Sequence, residues 1–321
     1  MRWSSPGRWR RSAEMVKLIP VEGIGEIVPG DDLAEILTAT ASLAEGDVVV
    51  VTSKIVAKAA GLVTERSRDE VLADETDRVV ARRGGTSIVR THHGLTMAAA
   101  GIDASNVADG HVISLPSDPD GDARRLRTRI AELAGVTVGI LIADTAGRPW
   151  RQGQTDMAIG CAGIVPIRSF AGQTDAHGNP LVVTAPAIAD EIAGAAELVS
   201  GKLGGRPFVI LRGLDPTMLT ADDGPGATAL VRDEGHDLFG LGSREAVLAA
   251  MLRTSRRGFP DPAGEWESVD AVLAAASPRC RREGSRVLIE RGDDDIEAGA
   301  LSERVKAVAF AYGLAIEVKL A

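Results

Sequence analysis

The residues best suited to chemistry lie in the segment ADTAGRPWRQGQTD, residues 143–156, directly after a run of apolar residues. Asp144 and Thr145 offer a carboxylate and a hydroxyl, and Asp103 offers a second carboxylate in the sequence GIDASN. Mg²⁺ and Mn²⁺ prefer hard oxygen ligands of this kind. The same aspartates are also typical of turns, in which they hydrogen-bond to nearby backbone. From spacing alone we favour that turn interpretation over a metal site.

Basic side chains accompany these oxygen atoms. Arg148 and Arg151 are suited to neutralising a phosphate or carboxylate through paired hydrogen bonds, or to forming a surface ion pair with Asp156. Ser53, Lys54 and Lys58 are suited to binding phosphates, or simply begin a helix whose lysines are solvated. Taken one at a time, each of these groups is better explained as an ordinary structural feature.

Standard nucleotide and nucleophile signatures are missing from the sequence. The stretch GAAELVSGKL is similar to a P-loop, but Gly194 and Gly201 are too far apart. The stretch GIGEIVPG lacks the G-x-G-x-x-G spacing, and no G-x-S-x-G elbow is present. We therefore expect neither a standard phosphate loop nor a serine nucleophile.

Composition and charge restrict the class of protein. A chain of 321 residues exceeds the usual size of one core, so we expect two domains or one domain with an appendage. The formal net charge of −9 argues against nucleic-acid binding. Cys161 and Cys280 are far apart, which argues against a disulfide framework and fits a cytoplasmic protein. No apolar run is long enough to predict a membrane span.

Hydrophobic patterns predict the elements that position the polar residues. Apolar runs predict strands at 16–21, 48–51, 135–145, within NPLVVTAP and at 206–213. Helical spacing predicts helices from Asp31 or Asp32 to Leu43, and at 68–83, 119–134 and 188–199. These elements indicate a mixed α/β protein, and segment 143–156 follows the end of a buried strand, where such proteins commonly build sites on loops.

The two ends of the chain differ from the middle. Residues 1–15 carry four arginines and no helical or strand pattern, so we expect a disordered N-terminal tail or a start assigned too early. A basic targeting segment is a less favoured alternative. Residues 246–321 show helix, a Pro/Gly linker (258–264), helix, strand (286–291), an acidic turn, helix and strand (315–320). We expect this C-terminal part to be a small α/β appendage.

In combination, the motifs closely resemble the coenzyme F-420:L-glutamate ligase family. The segments that carry the resemblance are PVEGIGEIVPGDDL, GDVVVVTSKIVAKAAG, HHGLTMAAAGIDASNV, LPSDPD, ADTAGRPWRQGQTDMAIGCAG, GNPLVVTAPAIADEIAGAAELVSGK and HDLFGLG. The D-T-x-G-R-x-W-R-x-G-Q-T-D run and the G-x-D-x-S-N turn are the most specific of them. The resemblance covers roughly 16–245, which we expect to be the ligase domain.

The resemblance implies a fold and an activity. The fold would be an α+β arrangement of the γ-glutamyl ligase type, forming an intertwined homodimer. The activity would be GTP-dependent ligation of L-glutamate to the lactyl carboxylate of the deazaflavin coenzyme precursor through an acyl phosphate, followed by γ-linked glutamates. The expected partners are therefore GTP, L-glutamate and the deazaflavin precursor.

The resemblance also assigns roles to residues at the matching motif positions. The divalent metals, Mg²⁺ or Mn²⁺, would be held by Asp103, Asp144 and Thr145, and K⁺ is a further expected cation. The residues lining the GTP site would be Ile24, Gly25, Glu26, Ile27, Ser53, Lys58 and Asn106. We assign Arg148 and Arg151 to phosphate or substrate as our own hypothesis. Archaeal members carry a carboxylate or amide near Lys202 that can serve another metal, which bears on the number of metal ions.

The C-terminal part and the acceptor leave alternatives open. Actinobacterial relatives continue into an FMN-binding domain. In this chain, the segment LRTSRRGFPDP resembles the start of that domain, but too few residues follow to complete it. We therefore expect no FMN binding. One alternative is a related ligase that uses ATP or another acceptor. The other is a catalytically silent protein that binds a nucleotide or deazaflavin, and the complete set of Asp103, Asp144 and Thr145 counts against it.

Overall fold

The structure, a computed structural model, describes residues 15–262, 270, 271, 273, 277, 279–290 and 294–320. Of the predicted N-terminal tail, 1–15, all but Met15 lies outside the described residues. The chain forms two compact units: the first contains the residues up to 75 together with 93–231, and the second contains 76–92 together with 232–321. The predicted division at 245/246 into ligase domain and appendage stays a prediction.

The helices and strands follow one another along both units. The strands are β1 (Lys17–Pro20), β2 (Val48–Thr52), β3 (Val63–Thr64), β4 (Thr76–Arg83), β5 (Thr86–Thr91), β6 (Thr96–Ala98), β7 (Val112–Ile113), β8 (Gly139–Gly147), β9 (Gln154–Ala162), β10 (Phe208–Arg212), β11 (Cys280–Glu283), β12 (Arg286–Ile289) and β13 (Glu317–Leu320). The α-helices whose bounds are described are α1 (Leu33–Thr40), α2 (Ser53–Ala59), α3 (Arg68–Glu75), α4 (Pro119–Ala134), α5 (Ile188–Ser200), α6 (Ser243–Leu252) and α7 (Asp295–Ala311).

A five-stranded mixed sheet organises the first unit, with strand order β1-β10-β2-β8-β9. Strands β2 and β8 are parallel, and the other neighbours are antiparallel. Since β2 and β8 run in the same direction, their carboxyl ends meet at one edge of the sheet. The expected mixed α/β composition is confirmed.

The valine run of β2 shows why this sheet is covered on both faces. Val49 and Val51 join a hydrophobic cluster with residues of α1, α2 and α4, whereas Val48 and Val50 join a second cluster with residues of α5. Successive side chains of a strand point to opposite faces, so a continuous apolar run requires a layer of helices on each side. The first unit is therefore built as helix, sheet and helix layers.

Local signals account for the helix ends. Asp32 caps α1, accepting hydrogen bonds from the backbone amides of Ala34 and Glu35, as the prediction of a start at Asp31 or Asp32 required. Asp118 caps α4, and Gly135 ends it in the left-handed conformation with φ of 68°. The predicted helices at 119–134 and 188–199 and the strands at 16–21, 48–51 and 206–213 are confirmed within a few residues.

Two predicted elements are wrong. The helix expected over 68–83 ends at Glu75, and β4 follows it, because the β-branched Val79 and Val80 lie in an antiparallel ladder with β5. The strand expected within NPLVVTAP is absent from the described structure there, and Val183 is 89% exposed. Pro180 and Pro186 flank these residues and have no amide hydrogen to donate to a ladder, which disfavours a strand.

The second unit combines the β4–β5 hairpin with the C-terminal elements. Strand β12 pairs antiparallel with β11 and parallel with β13, so the predicted strands near 286–291 and 315–320 are confirmed as neighbours. Helix α7 contributes Leu301 and Val305 to the hydrophobic cluster of this small sheet. Among the residues that the structure describes, no helix has both the length and the apolar character needed to span a bilayer.

Candidate active site

A cavity of about 820 Å³ opens in the first unit at the edge of the sheet where β2 and β8 end. Polar and charged side chains converge there from five parts of the chain that are far apart in sequence. The wall is formed by the loop 24–27, by α2, by the turn 101–106, by the β8–β9 hairpin and by residues between 197 and 206. A site of this size is large enough for a ligand such as a nucleotide.

The cavity brings together most of the residues that the resemblance assigns. Those in its wall are Ile24, Gly25, Glu26, Ile27, Lys58, Asp103, Asn106, Asp144 and Thr145. Ser53 is buried just behind the wall, where its hydroxyl donates a hydrogen bond to Asp144 Oδ1 at 2.7 Å. Arg148 and Arg151 lie on the exposed loop between β8 and β9, outside this wall, and their assignment to phosphate or substrate stays a prediction.

Residues 143–156 form a hairpin, and Asp144 and Thr145 lie in its first strand. This agrees with the strand predicted at 135–145 and not with the turn interpretation of Asp144. Strand β8 continues through Gly147, β9 begins at Gln154, and both Asp144 and Thr145 lie within the ladder. Adjacent residues on a strand point to opposite faces. Asp144 therefore faces α2 and Ser53, while Thr145 faces its cross-strand partner Asp156, donating a hydrogen bond to Asp156 Oδ1 at 2.7 Å.

The turn that carries Asp103 is held by side-chain hydrogen bonds. Ser105 donates to Asp103 through its backbone amide, at 2.8 Å from Oδ1, and through its hydroxyl, at 2.6 Å from Oδ2. Lys54 Nζ, from the first turn of α2, lies 2.6 Å from Asp103 Oδ2. Asn106 has a φ of 55°, in the left-handed region that few residues other than glycine adopt. Such strain is found at functional sites, where the surrounding structure enforces it.

The carboxylates of the cavity differ in their electrostatic surroundings. Burial raises the pKa of Asp144 to about 6. The hydrogen bond from Ser53 lowers this pKa, whereas the negative charges of Asp156 and Asp103 raise it further. Burial also raises the pKa of Asp156. Burial opposes the ionisation of Asp103 as well, but hydrogen bonds from Lys54 and Ser105 outweigh it and keep the pKa of Asp103 well below its usual value.

Cationic side chains surround these carboxylates. The ammonium group of Lys58, a buried residue, forms an ion pair with Glu26, which is largely exposed. Arg206 forms an ion pair with Glu22, with 3.1 Å between Nη2 and Oε1. Lys202 also lies in the wall, and its charge acts on Asp156. The cavity thus offers both carboxylates for a metal ion and cations for anionic ligands.

Several cavity residues were not singled out as site residues from the sequence. Lys54 was considered only as one of several phosphate ligands, and Asp156 only as an ion-pair partner of Arg148 and Arg151, although each contacts an assigned residue. Glu197, Arg206 and Arg68 were missed altogether and line the wall. Glu197 lies in the last turn of a regular helix, so its only available signal was its position four residues before Gly201, which ends α5.

The donor set of the cavity fits a divalent cation. Among the residues that the structure describes, no group of three His, Cys, Asp or Glu side chains is arranged to hold a metal by itself. Mg²⁺, however, is usually bound through one or two carboxylates, with water and substrate phosphates completing the octahedron. Asp103 and Asp144 supply two carboxylates, and the cost of burying the charge of Asp144 is the kind of penalty that a bound cation offsets.

Comparison with known proteins agrees with this geometry. The family model for F420-0:Gamma-glutamyl ligase matches residues 23–69 and 62–213. These matches include the loop 24–27, helix α2, the turn 101–106, the β8–β9 hairpin and the end of α5, which together form the cavity.

Curated relatives are similar along most of the chain. The coenzyme F420:L-glutamate ligase of Methanopyrus kandleri is 38% identical over 247 residues, which cover 70% of this chain and 97% of the relative. That of Archaeoglobus fulgidus is 38% identical over 222 residues, covering 62% and 88%, and that of Methanothermobacter thermautotrophicus is 35% identical over 250 residues, covering 70% and 98%. The cavity and these matches together show that the chain belongs to the F420-0:gamma-glutamyl ligase family.

Proposed function

We propose that this protein is a GTP-dependent ligase of coenzyme F420 biosynthesis. It joins L-glutamate to the lactyl carboxylate of the deazaflavin precursor and then adds further glutamates through γ-linkages. The observation that carries the proposal is the convergence of the assigned nucleotide and metal residues on one cavity, in a chain whose curated relatives are named coenzyme F420:L-glutamate ligases.

The reaction requires activation, because a carboxylate is a poor electrophile. An oxygen of the acceptor carboxylate attacks the γ-phosphorus of GTP, forming an acyl phosphate and releasing GDP. The amine of glutamate then attacks the acyl carbon, an amide bond forms, and inorganic phosphate leaves. Phosphoryl transfer of this kind depends mainly on positioning and on charge stabilisation.

The residues of the cavity have separate roles in this proposal. Asp103, Asp144 and Thr145 would hold the divalent metals, Mg²⁺ or Mn²⁺, with Thr145 on the face of the strand opposite to Asp144. These metals would neutralise phosphate charge. Lys58, poised beside Glu26, would donate to the phosphates of GTP. The loop 24–27 and Asn106 would line the nucleotide, and Ser53 orients Asp144 through its hydrogen bond.

Mass spectrometry of the deazaflavin precursor tests the proposal. We expect a ladder of glutamyl additions when the precursor is incubated with the protein, L-glutamate, GTP and Mg²⁺ or Mn²⁺, because all components of the activation step are then present. Omitting GTP, replacing it with ATP and removing metal with a chelator are the controls. Additions supported equally by ATP would contradict GTP dependence, and the absence of additions despite nucleotide binding would favour another acceptor or a silent binding protein.

We also propose that the protein acts in the cytoplasm as a homodimer. Support comes from apolar side chains that the first unit leaves exposed, including Val182 at 72% and Val183 at 89%. Exposed apolar patches of this kind commonly mark protein interfaces. Sedimentation equilibrium should give twice the 33.5 kDa mass of the chain. Val183→Glu should shift the mass towards one chain, whereas the control Leu133→Glu should not; a wild-type monomer would contradict the proposal.

A further inference from the structure

Lys54 is a cavity residue whose contacts the proposed function does not use. It lies in the first turn of α2, and its side chain is only 15% exposed. Its ammonium group is 2.6 Å from Asp103 Oδ2 and 2.7 Å from the Ser105 hydroxyl. A lysine set this deeply, with both contacts on one turn, has a defined position in the cavity.

Lys54 is not needed to orient the carboxylate of Asp103. Ser105 already holds both oxygens of that carboxylate, with its amide on Oδ1 and its hydroxyl on Oδ2. These two hydrogen bonds lie within one turn, and Lys54 also contacts the Ser105 hydroxyl. What Lys54 adds is therefore a positive charge beside the carboxylate.

That charge lies on one of the two oxygens through which Asp103 could hold a divalent cation. A carboxylate oxygen has about two lone-pair sites, and Oδ2 of Asp103 already accepts from Ser105 and from Lys54. The same ammonium group also acts favourably on the charge of Asp144, the other carboxylate of this group. An ammonium group and a divalent cation cannot both contact Oδ2 at short range without strong repulsion.

We propose that Lys54 is a placeholder cation, a built-in charge that contacts Asp103 Oδ2 and competes with a divalent metal for that oxygen. This inference rests on the proposed function, since it takes Asp103 and Asp144 as the metal-binding carboxylates. It assigns to Lys54 the role of a positioning residue, because its charge offsets the repulsion between Asp103 and Asp144 and thereby sets the affinity of the site for metal.

Binding of Mn²⁺ alone, without nucleotide or other substrate, measures this competition directly. Free Mn²⁺ is followed by electron paramagnetic resonance in titrations of the full chain and of three variants. Lys54→Met removes the charge, Lys54→Arg keeps it, and Lys17→Met removes one charge from an exposed position on β1. We expect Lys54→Met to bind Mn²⁺ about tenfold more tightly than wild type, since one competing unit charge is lost. Lys54→Arg and Lys17→Met should stay within about threefold of wild type, because the charge near Asp103 is kept.

A second neutral variant at position 54 controls for misfolding. Lys54→Gln keeps a donor towards Ser105 without the charge, and it should tighten Mn²⁺ binding in the same direction as Lys54→Met, with an unchanged circular dichroism spectrum. Equal or weaker Mn²⁺ binding by both neutral variants would overturn the placeholder role and leave the proposed ligase function standing. Failure of every protein, wild type included, to bind Mn²⁺ would overturn this inference and also the metal assignment of the proposed function.

Discussion

At the scale of single residues, the chemistry of the cavity depends on carboxylates that are costly to bury. Asp144 is the clearest case, because burial raises its pKa to about 6 while only modest local hydrogen bonding favours its charged form. Perturbed groups of this kind cluster at functional sites. The raised pKa of Asp144 thus favours a functional role over the turn role that the spacing alone favoured.

Replacement of Asp144 separates function from stability. Asp144→Asn keeps the shape and removes the charge, so we expect turnover to fall by on the order of a thousandfold, as for loss of a group that stabilises transition-state charge. The thermal midpoint in chelator should be unchanged or higher, because a neutral amide costs less to bury than a carboxylate. Product formation and thermal unfolding measure the two effects.

The matched control for that substitution is Asp109→Asn. Asp109 is exposed and lies close in sequence to the turn 101–106, but outside the wall of the cavity. Its substitution should leave both turnover and the thermal midpoint near the wild-type values. Retained turnover in Asp144→Asn would count against the metal role of Asp144.

At the scale of elements, the joint between α4 and β9 sets the position of the β8–β9 hairpin. Asp120, in the first turn of α4, is buried and accepts hydrogen bonds from the amides of Cys161 and Ala227 and from the Thr228 hydroxyl. Beside it, Gly160 lets the strand approach the backbone of the helix closely. The hairpin that carries Asp144 is therefore anchored at its base.

Gly160→Ala tests this close approach. A methyl group at this position would lie 2.4 Å from the carbonyl carbon and oxygen of Pro119, and backbone atoms cannot move aside without shifting α4. We expect a loss of about 1–3 kcal/mol in the free energy of unfolding, as for other overpacked cores. Urea unfolding checks this, with Gly299→Ala as control because nothing lies within 4 Å of a Cβ there. Equal midpoints for the two variants would rule out a tight joint.

At the scale of the whole molecule, the chain leaves the first unit at residue 75 and returns to it at 93. The hairpin of β4 and β5 is held by distant residues of the second unit. Glu234 pairs with Arg78 and with Arg257, at 3.2 Å in each case, and Val80 accepts a hydrogen bond from the Gly242 amide. This arrangement joins segments separated by about half the chain, which no local pattern predicts.

Glu234→Gln tests this arrangement through its pH dependence. Burial opposes the ionisation of Glu234, but Arg257 and Arg78 outweigh it, and they lower its pKa from the ordinary 4.5. A lowered pKa in the folded state means that the charged form stabilises the fold above pH 4.5, and that this contribution is lost as the pH falls further. Glu234→Gln should therefore lower the free energy of unfolding by about 1–2 kcal/mol at pH 7. Its acid limb, the decrease in stability as the pH falls below 4.5, should be flatter than that of wild type.

Thermal unfolding between pH 3 and pH 7 measures both features of that prediction. The control is Glu303→Gln, since Glu303 pairs with Lys306 and Arg253 in an exposed position, where ion pairs contribute little. If the two glutamine variants showed the same acid limb and the same midpoint at pH 7, Glu234 would have no special part in holding the hairpin.

The amino-acid sequence by itself determined the features that depend on local patterns. Caps and helical spacing located α1, α4 and α5, and the valine run located β2. The order of motifs indicated the family and nine residues of the cavity wall. These signals are read from neighbours in the chain, so they do not require knowledge of the fold. Local patterns failed at 68–83, where pairing with β5 overrode the helical spacing.

Only the tertiary structure decided which of these residues meet and in which direction they point. It extended β8 through Asp144 and Thr145, which sends their side chains to opposite faces of the sheet. It also brought Lys54 onto Asp103, across 49 residues of sequence. Strand register and long-range contacts depend on packing between distant segments, and the local sequence does not specify them.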